Sequence, residues 1–81
     1  MKQINLVEAP ANVELAVLEI NAGLLARKRL IAMGVHIEDK LVKFNSSAWG
    51  PVLLQNVTLN SSKIAVGRRL AQKILVGYES A

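Results

Sequence analysis

The chain has 81 residues, a formal net charge of +4 and no cysteine. A chain of this length forms one small domain, in which folding buries only about 60% of the surface that the unfolded chain exposes. The absence of cysteine excludes disulfides and thiolate metal ligands. Hydrophobic residues make up 52% of the chain, with only one Trp, one Tyr and one Phe. We therefore expect a single domain over residues 1–81 with an aliphatic core.

The N-terminal segment, MKQINLVEAP, lacks the unbroken apolar run of a signal peptide, because Asn5 and Glu8 interrupt it. No apolar run approaches the roughly 18–20 residues that a membrane-spanning helix needs. Both features predict a cytoplasmic protein. The positive charge suits an acidic protein, a nucleic acid or an anionic membrane, and composition alone does not choose among them.

The first predicted element is a strand over Val13–Ile20, which follows a turn at Ala9–Asn12. β-Branched residues stand at both of its ends, and Glu14 and Glu19 are expected to face water. Its remaining residues are apolar on both faces. This pattern fits a strand that packs inside a barrel and is also covered by a helix.

The second element is the segment that we interpret as a helix, Leu24–Val35, in which Gly34 can take the left-handed conformation that ends a helix. At about 100° per residue, the helix directs one apolar stripe toward the core. That stripe consists of Ala26, Leu30 and Met33. The opposite stripe combines two aliphatic and two basic side chains: Leu24, Arg27, Lys28 and Ile31.

Four more strands are predicted after the helix, joined by connections of hairpin length. They are Lys40–Asn45, Pro51–Leu59, Lys63–Val66 and Lys73–Val76. The predicted fold class is therefore mainly β, with about five antiparallel strands and one α-helix between the first two. Rolling such a sheet into a small barrel would remove its exposed edges.

Two blocks of the sequence are similar to a known family. They are RLIAMGV at 29–35 and a discontinuous block of GPV at 50–52, IAVGR at 64–68 and AQKILV at 71–76. These blocks resemble the helix end, closing strand, basic turn and final strand of the FeoA family of ferrous iron transport accessory proteins. Since Leu6, Pro10 and Val13–Ile20 also align, the resemblance covers nearly the whole chain.

Two turns depart from the pattern of that family. Ile37-Glu38-Asp39 stands where a glycine is usual, and Ala11 follows Pro10 where glycine is common. Both turns are therefore expected to differ in shape from those of the family, together with any partner surface built on them.

The resemblance implies a small SH3-like barrel and a non-enzymatic, cytoplasmic accessory protein of ferrous iron uptake. It further implies docking on the cytoplasmic part of FeoB, the membrane transporter for Fe²⁺, so that the membrane is reached only through this partner. The SH3-like domain of metal-dependent transcription regulators has the same fold, and a stand-alone relative of that domain is an alternative. A weak homo-oligomer is left open.

The titratable residues favour neither catalysis nor metal binding. The one histidine, His36, has no predictable Ser or Asp partner, and Glu38 and Asp39 would point apart in a strand. A site for Fe²⁺ or Zn²⁺ needs several converging ligands. We therefore expect no catalytic residue, no metal site and no cofactor. A weak, exposed metal contact at His36, Glu38 and Asp39 is left open beside the interpretation as a solvated polar turn.

The docking stripe, defined as Leu24, Arg27, Lys28 and Ile31, is the first candidate for a partner surface. Exposed apolar area combined with fixed positive charge suits an acidic protein partner. In the alternative interpretation, the N-terminal segment covers Leu24 and Ile31, and the cations only keep the protein in solution.

Three further residues are secondary candidates for partner binding: Arg68, Arg69 and Trp49. The two arginines support docking if they lie on the same side as the stripe, and otherwise form a solvated turn. Trp49 lies near the tip of a polar loop. We interpret it as folding back over the barrel, with a protruding interface anchor as the alternative.

Nucleic-acid binding is an alternative to protein docking that belongs to a different class of function. It is considered because small basic β-barrels often bind RNA or DNA. Binding of single strands uses aromatic stacking platforms among the basic residues. Phe44, Trp49 and Tyr78 are too few and too scattered to form one. We therefore expect no nucleic-acid partner.

Overall fold

The computed structural model describes residues 1–44 and 49–79, in which six strands form one sheet with two helices. The strands are β1 (Lys2–Asn5), β2 (Glu14–Ile20), β3 (Lys40–Lys43), β4 (Val52–Asn56), β5 (Lys63–Val66) and β6 (Ile74–Tyr78). The helices are α1 (Leu24–Met33) and α2 (Arg68–Ala71). Every pairing is antiparallel, in the order β1-β6-β2-β3-β4-β5. The predicted mainly β fold is confirmed.

The sheet contains one strand more than predicted, because Lys2–Asn5 pairs with β6. Lys2 lies opposite Tyr78, and Asn5 lies opposite Leu75. The segment KQIN has only one apolar residue, so its sequence gives no alternating pattern. Within the described residues, β1 and β5 are the two ends of the sheet and do not pair with each other. The sheet is therefore open rather than a closed hydrogen-bonded barrel.

The core is aliphatic, as composition predicts, and lies under one face of the sheet. Leu15 and Val17 of β2 are fully buried at alternate positions. A bulge between Val17 and Glu19 shifts this alternation and bends the strand. From α1, Leu30 is fully buried and Met33 packs against the core, so this part of the predicted core stripe is confirmed.

Several predicted boundaries are corrected by the structure. β3 ends at Lys43, and Asn45 lies outside the described residues. The predicted continuation of β4 to Leu59 is wrong, because the Leu59 N–H donates to Asn56 Oδ1 at 3.0 Å and turns the chain. The segment before β6, predicted as a plain connection, contains α2, and β6 itself reaches Tyr78.

One buried charge connects distant parts of the chain. Lys43 of β3 is only 2% exposed. Its ammonium group donates hydrogen bonds to three carbonyl oxygens of the β1–β2 connection, those of Leu6 at 3.1 Å, Val7 at 2.6 Å and Ala9 at 2.7 Å. This ammonium therefore holds the β1–β2 connection against β3.

Candidate protein-docking surface

The orientation of α1 is fixed by its C-terminal end. Gly34 has φ 99°, and its N–H donates to the carbonyl of Ile31 at 3.0 Å, while the N–H of Val35 donates to the carbonyl of Leu30 at 2.9 Å. These two bonds form a Schellman motif, which is commonly accompanied by an apolar contact across the helix end. Leu30 and Val35 are both fully buried. The opposite side of α1 therefore faces away from the core.

The docking stripe lies on this outward side. Leu24 is 68% exposed and Ile31 is 50% exposed. The interpretation that the N-terminal segment covers them is wrong, because that segment forms β1 and pairs with β6 instead. Leu25, which was not predicted as part of the surface, is 77% exposed. The first turn of α1 thus presents two adjacent leucines to solvent.

The basic residues of α1 have no acidic counterpart in the described part of the chain. The helix contains Arg27, Lys28 and Arg29 but no acidic residue, and neither ion pair among residues 1–44 and 49–79 involves it. Arg27 donates from Nη1 to the carbonyl of Ile20 at 3.2 Å, a neutral acceptor at the end of β2. The positive charge of the stripe is therefore available to a negatively charged partner.

The second predicted basic site is on α2, directly after β5. Arg69 is exposed, whereas Arg68 is half-buried. Lys73, which follows α2, accepts at its carbonyl a 2.7 Å hydrogen bond from the N–H of Asn21, just before α1. The residue three positions before α1 and the residue two positions after α2 thus lie next to each other at the junction of β2 and β6.

Trp49 stands at the end of the β3–β4 connection and is 85% exposed. The interpretation that it folds back over the sheet is therefore wrong. Gly50 follows with φ 77°, a left-handed conformation that favours glycine. Trp49 is exposed in the way expected of an interface anchor, because a tryptophan that anchors an interface is buried only when its partner binds.

The turn at His36, Glu38 and Asp39 is a structural connection rather than a solvated polar turn. The Asp39 carboxylate accepts a 2.8 Å hydrogen bond from Asn56 Nδ2 and lies 2.8 Å from His36 Nδ1. The hydrogen bond from the Asn56 amide lowers the pKa of Asp39. Burial raises this pKa, and His36 lowers it. In residues 1–44 and 49–79, no group of three or more His, Cys, Asp or Glu side chains is placed to hold a metal ion.

Asn56 is the residue at this junction that sequence reasoning missed. It is fully buried, and its amide group also donates to the carbonyl of Gly34 at 2.7 Å. Together with the bond from Leu59, the side chain connects the end of α1, the following turn and the β4–β5 hairpin. Its one sequence signal is a polar residue at alternate spacing from Val52 and Leu54, the buried side of β4, where a polar group needs a partner.

The structure also contains an open cavity on the opposite side of the sheet from α1. It measures about 270 Å³ and is lined by Met1 and by residues of β2, β3 and β6, among them Glu14, Lys40 and Tyr78. Glu14 and Lys40 form a 3.0 Å ion pair at its wall. These two groups satisfy each other, and Glu79 is a further carboxylate-bearing residue in the lining.

Comparison with known proteins bears on the identity of this fold. The family model of the FeoA domain matches residues 4–77. The chain belongs to the FeoA family. It is 43% identical over 63 residues to the protein of Methanocaldococcus jannaschii named "Putative Fe(2+) transport protein A", a match that covers 78% of this chain and 72% of that protein.

Solved structures of FeoA proteins have the same fold. The crystal structure of an iron uptake regulatory protein, FeoA, superposes with a TM-score of 0.82 at 24% identity, covering 93% of this chain and 96% of that one. The NMR structure of a FeoA-like protein from Clostridium acetobutylicum gives a TM-score of 0.78 at 19% identity, covering 100% and 94%. These likenesses establish the architecture.

In the part of the chain that the structure describes, neither helix is long and apolar enough to cross a membrane.

Proposed function

We propose that this FeoA-family protein is a non-enzymatic, cytoplasmic accessory of ferrous iron uptake. It acts by docking on the cytoplasmic part of a FeoB-type Fe²⁺ transporter. The docking stripe of α1 is the surface that makes this contact. Family membership and the name of the relative from Methanocaldococcus jannaschii support the role in iron transport.

The observation that carries the choice of surface is the coincidence of exposed aliphatic side chains with unpaired positive charge. Leu24 and Ile31 lie on the same outward stripe as Arg27 and Lys28. Apolar anchors surrounded by charge are the usual composition of a protein interface, where the anchors supply affinity and the charges supply orientation and association rate. Arg69 and Trp49 are candidates for the rim of this contact, with Arg68 beside them.

The experiment is a titration of the purified protein with the cytoplasmic domain of a FeoB-type transporter, without lipid. The Arg27→Glu/Ile31→Asp variant is expected to bind at least about tenfold more weakly, since one charge is reversed and one apolar anchor is lost. Lys2→Glu/Leu59→Asp is the matched control, because it makes the same chemical changes at exposed residues on other elements.

Both variants are first compared with the wild type by thermal unfolding, because a misfolded protein would lose binding for another reason. Unchanged affinity of a folded Arg27→Glu/Ile31→Asp variant would remove this stripe from the proposal. An equal loss in both variants would show that net charge matters and that the location of the charge does not.

A further inference from the structure

We infer that the N-terminal half of α1 also binds the surface of an anionic phospholipid bilayer. The contact is made by a lipid-facing arc, defined as Leu24, Leu25, Lys28 and Arg29. This inference goes beyond docking on a transporter and does not depend on it. It gives the protein a membrane contact of its own, in contrast to the expectation that the membrane is reached only through a partner.

The spacing of the four residues places a basic side chain about one helical turn C-terminal to each leucine. Leu24 and Lys28 are four positions apart, as are Leu25 and Arg29, so each pair lies on one side of the helix one turn apart. The leucines lie in the first turn and are 68% and 77% exposed. A leucine can enter the acyl boundary while the long basic side chain of its pair extends to the headgroups.

The local charge is of one sign only. No acidic residue occurs in α1, and the two ion pairs of the described residues, His36–Asp39 and Glu14–Lys40, lie on other elements. The backbone of Lys73 lies next to the segment that leads into α1, which places a further basic residue near this end of the helix. Clusters of lysine and arginine are attracted to anionic lipid headgroups.

The shape of the surface favours a bilayer over a nucleic acid. No residue of α1 is among those that line the open cavity described above. A fluid bilayer needs no preformed groove and covers the leucines when they insert. A nucleic acid would satisfy the cations but would leave Leu24 and Leu25 without apolar contact, since α1 carries no aromatic stacking residue.

The test is co-sedimentation of the full chain with vesicles of phosphatidylcholine alone or mixed with phosphatidylglycerol. The wild type is expected to bind only the mixed vesicles, and less as salt is raised. Leu25→Ser and Arg29→Glu are each expected to weaken binding by about fivefold or more. Leu59→Ser and Lys2→Glu are the matched controls at exposed positions on other elements, and they are expected to bind within about twofold of the wild type.

Equal binding of the wild type to both kinds of vesicle would overturn the inference. So would full binding by Leu25→Ser, since attraction of the cations alone would then account for sedimentation. Retention on RNA without binding to mixed vesicles would likewise overturn it in favour of a nucleic-acid surface.

Failure of this inference can be told apart from failure of transporter docking. Leu25 and Arg29 lie outside the docking stripe. The Leu25→Ser/Arg29→Glu variant is therefore expected to lose vesicle binding while it retains affinity for the FeoB-type cytoplasmic domain in the absence of lipid. The arc and the docking stripe share Leu24 and Lys28, so loss of both activities in this folded variant would contradict the assignment of Leu25 and Arg29 to lipid contact alone.

Discussion

The ammonium group of Lys43 lies 2.7 Å from the carbonyl oxygen of Ala9 and donates a hydrogen bond to it. With the carbonyls of Leu6 and Val7, the three protons of this group each have an acceptor. Neither ion pair among the described residues involves Lys43. Burial lowers its pKa, and the positive charge of Arg68 lowers it further. Neutral carbonyls of one connection thus take the place of a counter-ion.

Lys43→Met is expected to reduce the free energy of unfolding by about 2–4 kcal/mol. Methionine keeps most of the volume of the stem but removes the ammonium group that donates to the carbonyls of Leu6, Val7 and Ala9. Urea denaturation measures the loss, and amide hydrogen exchange should show the β1–β2 connection opening more readily than the rest of the sheet.

Lys40→Met is the control for Lys43→Met, because Lys40 belongs to the same strand but is exposed and pairs with Glu14 at the surface. Its removal is expected to cost less than about 1 kcal/mol. Similar losses in the two variants would contradict the structural role of the buried ammonium.

Asp39 is expected to make stability depend on pH in the acid range. Its pKa in the folded protein lies below the ordinary value of 3.8, chiefly because Asn56 donates to the carboxylate. A lowered pKa means that the charged form stabilises the fold, so the contribution is fully present above 3.8 and is lost as the pH falls through the folded value.

The pH dependence is measured by comparing Asp39→Asn with the wild type in urea at several pH values. Asp39→Asn is expected to be less stable at neutral pH, with the difference shrinking below pH 3.8. Glu14→Gln, which alters an exposed carboxylate in a surface ion pair, serves as control and should show little change. A constant difference across the range would exclude the predicted linkage.

Glu38→Gly is expected to stabilise the protein by up to about 1 kcal/mol. Glu38 has φ 77°, a conformation that is unfavourable for a residue with a side chain. Its own side chain is exposed, so no buried contact is lost. Thermal unfolding measures the gain. Glu38→Ala removes the carboxylate but keeps the Cβ, and a gain in that control would attribute the effect to charge instead of backbone conformation.

Truncation of two leucines of α1 should change the free energy of unfolding by very different amounts. Leu30→Ala is expected to cost about 2–5 kcal/mol, because Leu30 is fully buried and truncation leaves a cavity. Leu25→Ala is expected to change stability by less than about 0.5 kcal/mol, because Leu25 is 77% exposed. Urea denaturation of both variants tests the orientation of the helix, and a large loss in Leu25→Ala would contradict it.

The elements that could be predicted from the sequence are those in which the apolar or polar character of each residue follows its own burial. The apolar run of β2, with β-branched residues at its ends, and the apolar stripe of α1 predict these two elements within a few residues of their bounds. β1 could not be predicted, because KQIN has a single apolar residue and therefore no alternating pattern, although its backbone pairs with β6. Glu38 takes a left-handed conformation that its residue type does not indicate.

The roles that could not be predicted depend on contacts between distant segments. In the sequence, Lys43 is an ordinary lysine of a strand. Its role depends on the carbonyls of the β1–β2 connection that lie around its ammonium group. The exposure of Leu24 and Trp49 likewise depends on which other segments pack nearby. The composition of the docking stripe was predicted, whereas the absence of a covering segment required the structure.

The pairing of β1 with β6 also determines how the fold should respond to mechanical force. Because Lys2 lies opposite Tyr78, tension applied between these residues loads the β1–β6 hydrogen bonds one after another instead of all at once. β1 should therefore peel away at low force. Peeling then reaches Leu6, whose carbonyl is held by Lys43, so the first mechanical barrier is expected at this ammonium group.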